Sequence, residues 1–228
     1  MNVEIWSDIA CPFCYIGKRK FEQALADFGE EVDVTFKSFQ LDPSAPKNSD
    51  ESMVNVLAKK YNMPIEKAKE MNAQVSAQAE EVGLAYQLEN VKVVNTLNAH
   101  RLSHLAKAHG KMGEVMEKLL EAHFIDAKHV GKDETLKEIG LSAGLDEQEI
   151  DEVLRSDRYQ ADVEHEQQEG AQIGVQGVPF FVFNRKYAVS GAQPKEAFLQ
   201  VLEKVKEEEA PAPIQVMKQG DACTDESC

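Results

Sequence analysis

Two cysteines near the start of the chain, Cys11 and Cys14, are separated by two residues and follow a short apolar segment, residues 3–6, that is typical of a strand. Pro12 suits the first position of a helix, because its fixed φ fits and its missing N–H would have no partner there. Cys11 would then be the N-cap, where free backbone N–H groups and the helix dipole stabilise a thiolate. Cys14 lies three residues on, on the same helical face and within disulfide-forming distance. The spacing therefore predicts a redox switch.

In this interpretation the Cys11 thiolate, predicted to be the more exposed and more acidic of the two, attacks a disulfide. Cys14 then resolves the mixed disulfide, or the reaction runs in reverse. The alternative is that both cysteines pack as small apolar residues. Phe13 either offers apolar contact to a substrate and helps to set the redox poise, or faces the core. Asp8 either accepts a proton from the thiols or caps the turn before the helix, and we favour the cap.

The segment W-S-D-I-A-C-P-F-C-Y-I-G-K resembles the active-site segment of the thioredoxin-fold DsbA family, and most closely its cytosolic FrnE-type branch of thiol–disulfide oxidoreductases. Three further stretches resemble parts of that family. They correspond to the end of the second strand, a segment of the inserted helical domain and the loop that carries a cis-proline, at residues 39–43, 95–102 and 174–181.

The resemblance implies roles for several residues. Pro179 would be cis and lie against the cysteines, whereas without the resemblance an ordinary trans proline is the better expectation. Val178 would pair its backbone with an extended substrate. Pro12 and Phe13 would also contact the substrate, and His100 would line the substrate groove.

Periodicity along the chain predicts the order β-α-β, then a helical block, then β-β-α. This is an α/β protein with a thioredoxin-like fold interrupted by an all-helical insertion domain.

The expected boundaries are 1–46 and 174–208 for the thioredoxin-like domain, 47–173 for the insertion and 209–228 for a flexible tail, with a linker beginning at Glu207. The predicted strands are 3–6, 32–37, 180–183 and 187–189; the predicted helices are 12–28, 53–61, 64–82, 95–109, 114–125, 133–139 (stopped by Gly140), one from Asp146, 159–173 and one from Pro194.

The composition limits the classes of partner that the protein is expected to bind. Forty acidic against 25 basic residues give a net charge of -15, which disfavours binding to nucleic acid and to anionic membranes. No apolar run approaches the length of a membrane span. The N-terminal residues run straight into the first strand without a signal-peptide pattern, so we expect a cytoplasmic protein without structural disulfides.

Two other sets of residues could do chemistry. His100 and His104, four apart on one helix, could share a metal, but a mixed buried and solvated pair is the better interpretation, and no metal site is predicted. Cys223 and Cys228 form a second close pair at the end of the chain. They could fold back as accessory redox thiols, be spectators, or join the first pair in holding zinc, which is the least favoured reading.

The sequence thus predicts a thiol–disulfide oxidoreductase or protein disulfide isomerase that acts on disulfide-bearing or thiol-bearing proteins or small molecules. No cofactor is expected beyond glutathione as a thiol co-substrate, and the sequence carries no indication of the oligomeric state. One alternative is a glutathione-dependent transferase or isomerase of the kappa-class or 2-hydroxychromene-2-carboxylate isomerase type, which the chain resembles in architecture. A second is a redox-sensing or metal-holding binding protein.

Overall fold

A computed structural model describes residues 1–47 and 49–209 of the chain, and four of its strands form one mixed sheet. The strands are β1 (Asn2–Ser7), β2 (Asp33–Ser38), β3 (Phe180–Phe183) and β4 (Tyr187–Ser190), and they lie in the order β2-β1-β3-β4. β1 is parallel to β2 and antiparallel to β3, and β4 is antiparallel to β3. The helices are α1 (Pro12–Phe28), α2 (Met53–Lys60), α3 (Ile65–Glu80), α4 (Leu97–Ala108), α5 (Met112–Phe124), α6 (Asp133–Ser142), α7 (Glu147–Arg155), α8 (Gln160–Gln172) and α9 (Lys195–Glu209). This is the predicted element order.

One face of the sheet is covered by α1 and α9 through a cluster of aromatic rings. Phe21 of α1 lies 5.4 Å from the ring of Phe181 and 6.0 Å from that of Phe183. Phe198 of α9 lies 4.6 Å from Phe181 and 5.5 Å from Phe21. Alternate residues of a strand point to the same face, so Phe181 and Phe183 both reach this cluster. The four rings join α1 and α9 to the centre of the sheet.

The opposite face is covered by α8, which contacts β1 at a fully buried tryptophan. The indole Nε1–H of Trp6 donates a hydrogen bond of 2.8 Å to the Glu166 carbonyl oxygen. A Cβ at Gly170, one turn further along α8, would lie 2.7 Å from the same nitrogen. Only glycine therefore lets the helix approach the sheet this closely. Because α8 leads into the loop before β3, this contact sets where that loop begins.

A buried carboxylate ties α8 to the edge strand β2. Glu166 Oε2 accepts a 2.7 Å hydrogen bond from the backbone N–H of Ser38 and lies 3.2 Å from His104 Nε2, while Oε1 lies 3.4 Å from Lys107 Nζ. Burial alone would raise the pKa of Glu166, but the hydrogen bond and charge of His104, with Ser38 and Lys107, lower it to about 2. The carboxylate is therefore ionised throughout the physiological range.

The largest apolar cluster among the described residues is shared by the sheet and the helical block. Buried side chains of β1, such as Val3 and Ile5, belong to the same apolar cluster as Leu102 and Leu105 of α4. The division into a thioredoxin-like domain and an insertion at residues 47–173 therefore stays a prediction. The packing in this cluster continues from one part to the other.

Two predicted element ends are corrected. Residues 207–209 belong to α9 and not to the expected linker, and Glu208 contacts Lys186 and Tyr187 of the β3–β4 hairpin. Helix α6 runs through Gly140 to Ser142 instead of stopping there. The tail cysteines Cys223 and Cys228 lie outside the described residues. Within 1–47 and 49–209 no helix is both long and apolar enough to cross a membrane.

Gly170→Ala should lower the free energy of unfolding by about 1–3 kcal/mol, since the added methyl group overlaps the Trp6 indole. Gly113→Ala in α5 is the matched control, because no atom beyond its chain neighbours and its own helix backbone lies within 4 Å of a Cβ there. It should leave stability unchanged or slightly raised. Urea unfolding followed by Trp6 fluorescence measures both. Equal stability of the two variants would contradict the close contact.

Glu166→Gln should destabilise the fold by roughly 1–3 kcal/mol at pH 7. The folded-state pKa of about 2 lies below the ordinary value of 4.5, so the stabilisation is complete above pH 4.5 and is lost as the pH falls toward 2. The difference in free energy of unfolding between parent and variant should therefore shrink over that window. Glu164→Gln, at an exposed position on the same helix, should show no such change.

Candidate active site

Cys11 and Cys14 lie where β1 leads into α1, as predicted. Cys11 is the N-cap, with φ -95° and ψ 112°, and Pro12 is the first helical residue. The Cys11 N–H donates to the Asp8 carbonyl oxygen at 3.1 Å, and the Cys14 N–H donates to the Cys11 carbonyl oxygen at 3.0 Å. The turn is thus closed by backbone bonds on both sides of Cys11, which leaves its sulfur at the positive end of the helix dipole.

Both thiols are free and buried, with Cys11 4% and Cys14 3% exposed. Cys11 is the more exposed residue by only one percentage point, so exposure does not distinguish the two thiols, and the two sulfurs differ in their surroundings instead. Burial raises the pKa of the Cys14 thiol well above its ordinary value, and the adjacent Cys11 raises it further. The Cys11 sulfur lies 3.4 Å from the Val178 carbonyl oxygen, which accepts its hydrogen bond.

The loop before β3 faces Cys11. The Val178–Pro179 peptide bond is cis, the form that the resemblance implies. Pro179 is buried, and a Cβ at Gly17 of α1 would lie 2.9 Å from its ring. A small residue at position 17 is thus required for the loop to reach the cysteines. No hydrogen bond among the described residues uses the Val178 N–H.

Apolar side chains are exposed around the cysteines. Phe13 is 38% exposed, so it does not face the core, and Leu41, in the segment after β2, is 50% exposed. Val178 is partly exposed. These positions, together with the Val178 backbone, offer apolar contact and a backbone donor to a bound chain.

Asp8 is buried and acts as a cap. Its Oδ1 accepts from the Ala10 N–H at 3.3 Å and its Oδ2 from the Leu41 N–H at 2.7 Å. Burial by itself raises the pKa of Asp8, but the hydrogen bond and charge of His100, aided by the Leu41 N–H, outweigh it and lower the pKa. The carboxylate therefore joins the turn before Cys11 to the segment that follows β2.

His100 lies beneath the active site and does not line an open groove. It is 1% exposed, and its Nε2 lies 3.4 Å from Asp8 Oδ1 and 3.0 Å from the Phe39 carbonyl oxygen. His104 is also buried, at 6%, against Ser38 and Glu166. Both predictions for this pair, a groove residue and a mixed buried and solvated pair, are thus corrected. Among the described residues, no group of three or more His, Cys, Asp or Glu is placed to hold a metal ion.

Tyr86 is a site residue that the sequence does not predict: its hydroxyl donates a 2.8 Å hydrogen bond to the Pro12 carbonyl oxygen between the two cysteines. It lies 74 residues away along the chain and belongs to no motif. Nothing in the local pattern could have connected it to the site.

Comparison with known proteins agrees with this geometry. Residues 2–203 match the DSBA-like thioredoxin domain family. The chain belongs to this family. A solved structure described as a probable DsbA oxidoreductase from Streptomyces coelicolor is 40% identical, covers 100% of this chain and 98% of its own, and superposes with a TM-score of 0.88. The chain is thus a DsbA-like thiol–disulfide oxidoreductase with a thioredoxin-like fold, as the sequence predicted.

More distant similarities also extend over most of the chain. The protein YwbO of Bacillus subtilis, which is described as uncharacterized, is 27% identical over 201 residues, or 87% of this chain and 94% of its own. A 2-hydroxychromene-2-carboxylate isomerase is 13% identical, with a TM-score of 0.68 over 92% of this chain and 98% of its own. The cytosolic disulfide reductase DsbM of Pseudomonas aeruginosa, solved with GSH, is 15% identical, with a TM-score of 0.62 over 91% of this chain and 100% of its own.

Alkylation should distinguish the two thiols. With limiting iodoacetamide at pH 7, Cys11 should be modified first, because burial and the neighbouring sulfur keep Cys14 protonated. Peptide mapping by mass spectrometry at several times measures the order. The Cys11→Ser variant should then show slow modification of Cys14 that increases as the pH rises. Equal rates for both cysteines, or modification of Cys14 first, would contradict the assignment.

Proposed function

We propose that this oxidoreductase exchanges or isomerises disulfides through Cys11 as the attacking thiolate and Cys14 as the resolving thiol. The observation that carries the proposal is the position of the Cys11 sulfur, at a helix N-cap and 3.4 Å from the carbonyl oxygen that precedes Pro179. A helix N-terminus favours the thiolate. The loop before β3 supplies the backbone N–H and carbonyl groups of Val178 to a substrate beside the Cys11 sulfur.

In the reducing direction, the Cys11 thiolate attacks one sulfur of a substrate disulfide. A bond forms between Cys11 and that sulfur, the substrate S–S bond breaks, and the departing sulfur takes up a proton. Cys14 then loses its proton and attacks the Cys11 sulfur, which releases the second substrate thiol. The substrate gains two electrons and the enzyme is left with a Cys11–Cys14 disulfide; the reverse sequence oxidises a dithiol.

The raised pKa of Cys14 suits its role as the resolving thiol. A resolving thiol that stays protonated does not compete with Cys11 for the incoming disulfide. Once a mixed disulfide removes the negative charge from Cys11, that charge no longer opposes ionisation of Cys14. Resolution is thereby tied to the formation of the mixed disulfide.

We propose that the substrate binds in an extended form along the loop before β3. The Val178 N–H and carbonyl group would pair with its backbone, while Pro12, Phe13 and Pro179 contact the side chains beside the reacting sulfur. Recognition through backbone pairing requires little of the substrate's sequence, so disulfide-bearing or thiol-bearing proteins and small molecules both qualify.

Glutathione is our proposed thiol co-substrate and the cytoplasm the proposed compartment. The DsbM relative, described as cytosolic and solved with GSH, supports both at the level of a shared fold. With a net charge of -15, nucleic acid and membranes are not expected partners. Cys223 and Cys228 remain candidate accessory thiols that would carry electrons between Cys11 and outside thiols.

Cys11→Ser should abolish disulfide reductase and isomerase activity, since no thiolate remains to attack. Cys14→Ser should keep the attack but trap the mixed disulfide, which mass spectrometry detects as a covalent adduct on Cys11. The double variant Cys223→Ser/Cys228→Ser is the control and should keep single-turnover attack unchanged. If Cys11→Ser retained full activity with glutathione and a small electrophile, a glutathione-dependent transferase or isomerase would replace this proposal.

A further inference from the structure

The helical block reaches the active-site turn through residues 84–90, which are part of the segment between α3 and α4. Tyr86 of this segment donates its hydroxyl hydrogen to the Pro12 carbonyl oxygen at 2.8 Å. Pro12 separates the two cysteines, so this bond acts directly on the turn that carries the proposed chemistry. The attack by Cys11 and the resolution by Cys14 do not involve this hydroxyl.

The Tyr86 ring is held on both faces. Its centroid lies 6.2 Å from that of Tyr15 and 5.0 Å from that of Phe124, and both pairs are stacked with interplanar angles of 25° and 29°. The backbone beside it is anchored as well, since the Gln87 N–H donates to the Phe124 carbonyl oxygen at 2.7 Å and Gln87 Nε2 to that of Ile125 at 2.6 Å. The hydroxyl therefore has a defined position before any substrate arrives.

Tyr15, one of the two rings stacked on Tyr86, is held in place by the ionised Glu117 side chain. The Tyr15 hydroxyl donates to Glu117 Oε1 at 2.6 Å, and Lys18 and Arg19 of α1 pair with the same carboxylate. Burial raises the pKa of Glu117, but these partners, Arg19 first, lower it to about 2. The ionised group keeps the first turns of α1 on α5, and so keeps Pro12 within reach of Tyr86.

The Tyr86 hydroxyl remains a donor. Burial raises its pKa well above the ordinary value, and the neighbouring Cys11 raises it further. The group is thus protonated across the range in which a cysteine ionises, and its hydrogen is available to the carbonyl oxygen in every redox state.

We propose that Tyr86 is a positioning residue that sets the reactivity and redox poise of the Cys11–Cys14 pair by holding the Pro12 carbonyl group. The partial negative charge on this oxygen lies one residue from Cys11 and opposes a thiolate there. A hydroxyl hydrogen bond offsets part of that charge and fixes the direction of the carbonyl group. This inference rests on the proposed roles of Cys11 and Cys14.

Tyr86→Phe removes the hydroxyl and keeps the stacked ring. Loss of one hydrogen bond should slow alkylation of Cys11 at pH 7 by about fivefold and move its rate–pH curve to higher pH. Because the reduced form is then less stabilised, the Cys11–Cys14 disulfide should become about fivefold harder to reduce with glutathione. The circular dichroism spectrum should be that of the parent.

Two tyrosines serve as controls. Tyr187→Phe removes a hydroxyl that contacts Glu208 near the other end of the sheet, and should change neither measurement. Tyr15→Phe removes the hydroxyl of the stacked neighbour, which binds Glu117; it should lower stability while leaving the alkylation curve in place, since only Tyr86 bonds Pro12 in this stack.

The inference is overturned if Tyr86→Phe matches the parent in both the alkylation curve and the glutathione equilibrium. It is also overturned if Tyr15→Phe shifts the curve as much as Tyr86→Phe, because the contact of Tyr15 with Glu117, and not the hydrogen bond from Tyr86 to Pro12, would then be responsible. If the curve shifts in Tyr86→Phe alone but the parent exchanges no disulfide, the positioning role stands and the proposed function falls.

Discussion

The active site depends on the register in which β1 pairs with β3. Trp6 lies opposite Phe180, so the residues that follow β1 and those that precede β3 leave the sheet at the same end. This register brings the Cys11 sulfur to 3.4 Å from the Val178 carbonyl oxygen across 167 positions of sequence. A slip by one residue would turn Trp6 to the aromatic face and separate the loop from the cysteines.

Both faces of the sheet reinforce that register. Trp6 and Gly170 hold α8 against one face, and Gly17 lets α1 approach Pro179 from the other. The helical block is thus part of the site's support, although it lies far from the cysteines in the sequence. Buried charge also holds the elements together: the Glu166 carboxylate joins α8 to β2 and α4 through Ser38, His104 and Lys107, which keep it ionised.

Sequence reasoning predicted what is local and missed what is not. The N-cap position of Cys11 and the helix start at Pro12 depend on neighbouring residues, and the spacing alone indicates them. The cis form of the bond before Pro179 was expected only through the family resemblance, because most such bonds are trans. Tyr86 reaches the site through a contact with Pro12, 74 residues away, and the buried His100 contacts Phe39, 61 residues away. No local sequence pattern indicates either contact. The acidic end of α9 has the composition of a linker, and its partner, Lys186, lies in another element that the local sequence does not indicate.

The central claim is that Cys11 and Cys14 form one reversible two-electron couple. The most direct measurement is a redox titration of the Cys223→Ser/Cys228→Ser variant in glutathione buffers, with acid quenching, alkylation and peptide mapping. The account predicts a single transition in which a Cys11–Cys14 disulfide forms and reopens as the ratio of reduced to oxidised glutathione changes. A stable glutathione adduct on Cys11, with Cys14 remaining a free thiol at every ratio, would contradict it.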